Sequence, residues 1–449
     1  MERSRPSLRV RAIAIAVTVL TVLMFVPAPF AVGTTVQPVM RAGKLVGPVD
    51  VQGGSTFGTV AHLAVPRGNW TFYAKGVLRN TLAELSTFVP TGCRLTAGAD
   101  ADEIRAAPIG AGGDSSREAF LLAVSHHFDS DGRALLRCGS AGSTGDIVVE
   151  NIRIIAFKTG ALTVRNLRVG GQAAFGSPGS RTRAITGFDQ GPVSMPGNST
   201  EAAVATLRLP AGRWSVTAKA VAQSAAPSSG ATWTCRLTAG GDLDRIAGAN
   251  NAEGGIADRL PLALQVIHTF GSGDAVVLLC ASGQPPGTDE LRFLRLTAIR
   301  AGAYRNQDLA TSQHFAPIPD DQAPKVYSGF YDGPADVTAS STFTQVTSMS
   351  LPPGHYLMTA KAWVDNTVNT FPLVRCRLAA TGKYDEVDLQ MSPIGTIDHI
   401  QPFVLALHRT FSERSDVRLL CQESNVGVQL NYIKITAYAA ETLQTARLT

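Results

Sequence analysis

The 449-residue sequence has few charged side chains, few aromatic side chains and none of the short motifs that mark common enzyme sites. Only 17% of its residues are charged and 7% are aromatic. It contains no Gly-x-Ser-x-Gly nucleophile elbow, no His-Glu-x-x-His zinc motif and no Gly-x4-Gly-Lys phosphate loop. The sequence therefore predicts no catalytic and no cofactor-binding residue.

Long apolar runs are equally scarce, and the one that occurs lies near the N-terminus. A basic start precedes the 15 apolar residues Ala12–Val26, and prolines and small residues follow from Pro27 onward. A membrane-spanning helix usually needs about 20 apolar residues, so this order predicts a secretory signal peptide over residues 1–33. The exported chain would then begin near Val32 or Thr34 and would not enter a membrane. The alternative is an uncleaved N-terminal anchor.

The chain also lacks basic runs outside this leader. The formal net charge is +5, of which the leader contributes +3. A remainder of about +2 without a basic patch gives no reason to expect a nucleic-acid partner. Lysine is rare, with 8 lysines against 32 arginines.

Six cysteines divide the rest of the chain into three copies of one module. The two cysteines of each pair lie 45 residues apart, and a Pro-x-Gly-x-aromatic string ending in lysine repeats in the same register. A repeat of about 115 residues is within the usual size of one domain. The register predicts modules at 41–158, 184–300 and 326–439, joined by linkers at 159–183 and 301–325.

The equal cysteine spacing predicts one disulfide bond inside each module. An exported chain with an even number of cysteines can hold such bonds. No Cys-x2-Cys or close Cys/His pairing indicates a metal site instead. In the chain-entropy picture each bond contributes about 4 kcal/mol to stability. The predicted bonds are Cys93–Cys138, Cys235–Cys280 and Cys376–Cys421.

Alternating short segments predict strands almost throughout. In Trp214–Lys219 apolar residues alternate with polar ones, and the closing segment Leu294–Leu296 places Arg295 between two leucines. Loops rich in Gly, Pro, Asp and Ser separate these segments, and no helical period is sustained outside the leader. The sequence therefore predicts an all-β fold of three tandem antiparallel jelly-roll-like β-sandwich modules.

The repeated strings resemble two groups of proteins. Leu-Pro-Ala-Gly-x-Trp-x-Val-x-Ala-Lys at Leu209–Lys219, with Cys-Arg-Leu-Thr-Ala-Gly-Gly-Asp at Cys235–Asp242, resembles repeats in largely uncharacterised exported proteins of GC-rich bacteria, which implies no activity. In size and strand content the module is similar to the jelly-roll heads of the complement and tumour-necrosis-factor superfamily, at the level of fold alone.

The second resemblance implies a mode of assembly, because heads of that superfamily commonly form three-fold trimers. Three joined modules with linkers of about 25 residues would then pack around a pseudo-three-fold axis within one chain, as an intramolecular pseudo-trimer. The alternative is a string of independent modules.

Two sets of residues are candidates for ligand binding. Carboxylates follow the first cysteine of each module by seven to twelve residues, and clustered carboxylates make weak candidates for Ca²⁺, with a solvated loop as the alternative. The repeated lysines either cover a sheet edge with their charge in water or form a cationic spot for an anionic partner. The carboxylates are Asp100, Asp102, Asp242, Asp244, Asp385 and Asp388, and the lysines are Lys75, Lys219 and Lys361.

Two functions fit these observations. The first is a secreted non-catalytic binding or structural protein that presents loops to an extracellular or cell-wall partner, a polymer or a protein. The second is an extracellular glycan hydrolase that uses the carboxylates of the acidic loops as acid and base. Repetition favours the first, because three copies with unequal carboxylate spacing fit one strict geometry poorly. His126 and His268 are interpreted as strand-end histidines packed beside a phenylalanine.

Overall fold

Alternating apolar and polar residues form β-strands, as the sequence predicts. This computed structural model describes residues 39–448 except 46, 55, 83–88, 107, 109–116, 167–182, 225–230, 251–258, 311–312, 320–323, 371, 392–399 and 425. The predicted signal peptide and its cleavage position lie outside the described residues. Within the described residues, no helix has the length and apolar character needed to span a membrane.

The first module and the segment after it contain ten strands. They are β1 (Val39–Leu45), β2 (Val49–Asp50), β3 (Gly58–Val65), β4 (Gly68–Asn80), β5 (Thr91–Ala97), β6 (Asp100–Ala106), β7 (Arg117–Phe128), β8 (Gly132–Ser140), β9 (Ile147–Thr159) and β10 (Ala161–Asn166). One sheet has the order β1-β9-β4-β7, with β2 also paired to β9, and the other has the order β3-β8-β5-β6. The chain crosses between the sheets after most strands, which is the path of a jelly roll.

The second module repeats this topology strand for strand. Its strands are β11 (Arg183–Asp189), β12 (Val193–Ser194), β13 (Ala202–Leu209), β14 (Gly212–Ser224), β15 (Ala231–Ala239), β16 (Asp242–Asn250), β17 (Arg259–Phe270), β18 (Asp274–Ser282), β19 (Asp289–Ala301) and β20 (Ala303–Asp308). The sheet orders are β11-β19-β14-β17 and β13-β18-β15-β16.

The third module also has this strand topology. Its strands are β21 (Lys325–Tyr331), β22 (Ala335–Asp336), β23 (Thr344–Leu351), β24 (Gly354–Asn366), β25 (Leu373–Ala380), β26 (Lys383–Gln390), β27 (Ile400–Phe411), β28 (Ser415–Glu423), β29 (Val428–Ala440) and β30 (Thr442–Arg447). With sheets β21-β29-β24-β27 and β23-β28-β25-β26, the third module confirms the prediction of three jelly-roll-like sandwiches.

Each module has its own apolar core between its two sheets. In the second module the core includes Trp214, Leu237 and Leu296, all of which are fully buried. Burying one such large apolar side chain contributes about 1.5–3 kcal/mol. The repeated aromatic and aliphatic positions of the sequence therefore account for the core of the module.

The disulfide bonds join the middle strands of the smaller sheet in each module. Cys93 on β5 lies directly opposite Cys138 on β8, with their Cα atoms 4.1 Å apart. The second and third modules place their cysteines in the same way, with Cα separations of 4.1 and 4.2 Å. The predicted pairing within each module is confirmed.

The strand that follows each module pairs with the first strand of another module and extends the sheet of that module. β10 pairs in parallel with β11, and β20 pairs in parallel with β21. β30 pairs in parallel with β1, so that the end of the chain extends a sheet of the first module. Parts of the two predicted linkers, residues 161–166 and 303–308, are thus strands of the following module's sheet.

An apolar cluster that is separate from the three cores lies where the modules meet. It contains matching residues from the closing strands of all three modules, Phe157, Ile299 and Tyr438. A cavity of about 40 Å³ at this place is lined by residues that include the matching Tyr73, Thr217 and Thr359. Matching positions of three modules converge here, which defines a pseudo-three-fold axis.

Candidate functional site

The three repeated lysines lie in buried seams between modules. Lys75, Lys219 and Lys361 belong to β4, β14 and β24 and have exposed fractions of 1%, 2% and 5%. The interpretation of these lysines as solvent-exposed sheet-edge residues is wrong. Their side chains do point away from the core of their own module, but the neighbouring module covers that face of the sheet.

Each lysine pairs with an aspartate of the neighbouring module, nine residues after that module's first cysteine. The distances from lysine Nζ to the carboxylate oxygen are 2.6, 2.8 and 2.6 Å. The pairs follow one rotational direction around the axis. The lysines of the second and third modules each bind an aspartate of the preceding module, and the lysine of the first module binds an aspartate of the third. The pairs are Lys75–Asp385, Lys219–Asp102 and Lys361–Asp244.

Each aspartate also accepts a backbone hydrogen bond within its own module, at its second carboxylate oxygen in Asp102 and Asp244 and at the lysine-bound oxygen in Asp385. The donors are the N–H groups of Ala123, Gln265 and Ala406, at 2.7, 2.7 and 2.8 Å. Burial alone would raise the pKa of Asp385, but the charges of Lys75 and Arg153 hold that pKa below its usual value. The aspartates therefore connect two strands of one module and anchor the next module.

The closing strands supply a second cation to each seam. Arg153 on β9 lies 2.8 Å from Asp385 through its Nε atom and donates to the Tyr384 carbonyl oxygen at 2.9 Å. The matching Arg295 on β19 lies 3.4 Å from Asp102. Lys434 holds the same position on β29 and is buried. Two basic positions and one acidic position thus recur at every seam.

The weak Ca²⁺ prediction for the carboxylates is not supported by where the structure places them. They begin or lie within strands β6, β16 and β26, where each of them contacts a basic side chain. Asp102, Asp244 and Asp385 are engaged in the seams, and Asp388 lies 3.6 Å from both Arg117 and Arg375. Within the described residues, no three His, Cys, Asp or Glu side chains form a group that could hold a metal ion.

The remaining two carboxylates, Asp100 and Asp242, bind histidines. His126 Nδ1 lies 2.7 Å from Asp100, and His268 Nδ1 lies 2.8 Å from Asp242. Each imidazole ring also packs edge-on against the phenylalanine two residues later, with centroid distances of 4.5 and 4.7 Å. The interpretation of packed strand-end histidines is confirmed.

The sequence contains the signal for the seams, but the lysine and the aspartate of each pair belong to different modules. The lysines and the aspartates each keep a fixed place in the repeat, and so do the bases of the closing strands. Reading the lysine and the aspartate of different copies as partners would have predicted the seam. The repeated lysines, the carboxylates and the two histidines are thus held in ion pairs and hydrogen bonds.

No protein-family model matches the chain, and no curated protein sequence matches it. Among solved structures, a triple jelly-roll structure from an archaeal virus has 10% identity and a TM-score of 0.18, covering 91% of this chain and 92% of that one. An infectious bursal disease virus (IBDV) particle structure has 8% identity and a TM-score of 0.22, covering 90% and 78%.

A tandem CBM22 domain of Xyn10C from Paenibacillus barcinonensis has 11% identity and a TM-score of 0.17, covering 51% of this chain and 82% of that one. With TM-scores near 0.2, none of these three structures carries an argument about the function of this chain.

Proposed function

We propose that this chain is a secreted, non-catalytic binding or structural protein whose three jelly rolls act as one ring. The observation that carries the proposal is the cyclic set of buried Lys–Asp pairs, which uses matching residues at all three seams. A closed set of heterologous contacts leaves no unpaired interface at either end. The three disulfide bonds fit an oxidising, extracellular environment.

A ring of matching modules presents the same loops three times around one axis. A repeating extracellular or cell-wall polymer can engage such loops together, and linked binding events exceed a single one by about 10²–10⁴ in affinity. The proposed partner is therefore a repetitive polymer or a protein displayed on one. We expect no nucleic-acid partner.

The alternative function, a glycan hydrolase, would need carboxylates available to substrate as acid and base. The buried ion pairs of Asp102, Asp244 and Asp385 favour the non-catalytic role, since these groups already neutralise a lysine. Asp100 and Asp242 are similarly engaged with histidines.

An array of glycans and cell-wall polysaccharides, screened in parallel for hydrolysis, tests the proposal. We expect the full chain to bind a polymer without releasing reducing ends, and to bind the polymer about 10² times more tightly than its single repeating unit. Release of reducing ends by the full chain would favour the hydrolase instead.

A further inference from the structure

A cavity of about 530 Å³ lies at the seam that closes the ring, between the third module and the first. Its lining includes Lys44 and Arg153 of the first module, Lys383, Tyr384 and His408 of the third, and Thr445 of β30. This volume is within the range of small-molecule binding sites, about 300–1,000 Å³.

Three lining residues distinguish this seam from the other two. Lys44 on β1 lies opposite Arg153 of the closing strand β9. In the second and third modules, phenylalanines hold the position of Lys44, namely Phe188 and Phe330. Arg295 stacks over the Phe188 ring at 5.2 Å. A packed aromatic contact at one seam is thus replaced at the closing seam by a second positive charge.

The other two differences lie in the third module. Lys383 begins β26, whereas aspartates begin the matching strands β6 and β16. His408 on β27 lies opposite Leu357, and the residues at the matching positions are Ser125 and Ile267. All three exchanges add a cationic or protonatable side chain to one cavity.

The exchanges change the charge balance of the closing seam. There Lys44, Lys75, Arg153 and Lys383 surround one carboxylate, Asp385. At the same five positions, each of the other seams has two cations and two aspartates. The closing seam therefore carries an excess of three positive charges at these positions, while the other two are balanced.

The lining residue His408 also has a buried polar atom without a partner among the described residues. His408 Nδ1 is inaccessible to solvent and makes no hydrogen bond there. Burial, followed by the charges of Arg153, Lys383 and Lys44, lowers the pKa of His408 to about 4. Burial and Arg153 likewise lower the pKa of Lys44. Lys44, Arg153 and Lys383 line the cavity together, and their positive charge is the condition that an anion relieves.

We propose that this cavity is an anion-binding site that takes a phosphate, sulfate or carboxylate group between Lys44, Lys383 and His408. The charged hydrogen bonds of two ammonium groups would hold the oxygens of the ligand. The ring of Tyr384 is 45% exposed and contacts Arg377 at 4.3 Å, and its exposed part offers a surface for the uncharged part of a larger ligand. This inference does not depend on the multivalent role proposed above, because one small anion needs one seam.

Isothermal titration calorimetry with three probes tests it: inorganic phosphate, citrate and a sulfated tetrasaccharide. The informative variants are Lys44→Phe and Lys383→Asp, because each introduces the residue that the other two modules have at the matching position. We expect each to weaken binding about tenfold or more, because each removes a charged hydrogen bond to the ligand. Arg418→Met removes an exposed charge of the third module away from the cavity and should leave binding unchanged.

The probes also separate two sources of the same chemistry. If the tetrasaccharide binds more tightly than phosphate, the ligand of the site is an anionic group on a polymer. If phosphate binds more tightly, the ligand is a free oxyanion. The proposal is overturned if no probe binds at up to about 10 mM, or if the Lys44→Phe and Lys383→Asp variants bind as well as the wild type. Lys383 is exposed, so Lys383→Asp keeps the test valid if Lys44→Phe fails to fold.

Discussion

At the scale of single residues, the seam lysines show how a buried charge is tolerated. Lys361 Nζ lies 2.6 Å from Asp244 and also donates to the Arg245 carbonyl oxygen at 2.7 Å. Burial lowers the pKa of Lys361, and the Asp244 charge opposes that shift. Removing one member of such a pair leaves the other buried without compensation, which costs more than removing both.

The seam pair can therefore be measured by a double-mutant cycle. We expect Lys361→Met and Asp244→Asn each to lower the free energy of unfolding by about 3 kcal/mol, and the double variant to lose clearly less than the sum. Denaturant titration measures both effects. The control is Arg418→Met in the exposed Arg418–Asp416 pair, which should cost less than about 1 kcal/mol. Strict additivity of the two seam variants would show that they do not interact.

Two neighbouring positions differ together between the first and third modules, and their packing explains why. Gly98 has a φ of 57°, and a Cβ atom there would lie 2.1 Å from His126 Nε2. The third module has Thr381 at this place, and Arg409 instead of the histidine donates to the Thr381 hydroxyl at 2.6 Å. The side chain at this turn and the side chain above it therefore vary together.

We expect Gly98→Thr alone to destabilise the protein by about 2 kcal/mol, because a left-handed backbone and a steric clash both oppose the threonine. Adding His126→Arg should recover part of this loss by reproducing the third module's arrangement. Thermal unfolding of the single and double variants tests the coupling. Equal losses in both would mean that the His126 ring does not limit this position.

At the scale of elements, the sequence predicts strands and disulfide bonds well because their signals are local or repeated. Cys93 and Cys138 keep a spacing that recurs twice more, and the alternation in Trp214–Lys219 is visible within six residues. The residues that form the seams were not predicted, because Lys75 and Asp385 meet only after two further modules have folded. A lysine that faces away from its own core has the same sequence pattern whether water or another module covers it.

The closing strand β30 is the element that distinguishes a ring from a chain of sandwiches. It pairs with β1 in the same parallel register in which β10 pairs with β11 and β20 with β21. Leu448, just after it, packs against Gly43, where an added Cβ would lie 2.0 Å from the leucine side chain. The last residues of the chain therefore cover an edge of the first module.

Deleting residues 442–449 should expose that edge. We expect backbone amides of β1 to exchange with deuterium faster in the truncated protein, since β1 loses one of its two strand neighbours. β11 and β21 keep their parallel partners and serve as internal controls. Hydrogen–deuterium exchange with peptide-level mass spectrometry makes the comparison. Unchanged protection of β1, or equal loss in all three strands, would contradict a specific closing role for β30.

At the scale of the whole molecule, the same contact is used three times in one rotational sense. Three Lys–Asp pairs, three parallel strand additions and one apolar cluster at the axis connect the modules. Transient contact between joined domains is the usual expectation when their interface is small. Buried ion pairs and shared sheets favour a permanent ring in solution instead.

Small-angle X-ray scattering of residues 35–449 tests this arrangement. We expect a radius of gyration of about 22 Å for about 415 compact residues. A variant with three seam reversals should expand, because each change buries like charges together at an interface. The reversals are Asp102→Lys, Asp244→Lys and Asp385→Lys.

The matched control changes the net charge by the same amount at exposed positions of the chain, Asp129→Lys, Glu413→Lys and Asp416→Lys. Surface charges at these positions are screened, so the control should scatter like the wild type. A wild-type maximum dimension well above about 100 Å with three resolved lobes would rule out the ring in favour of independent modules. Expansion of the control together with the seam variant would attribute the change to net charge and not to the seams.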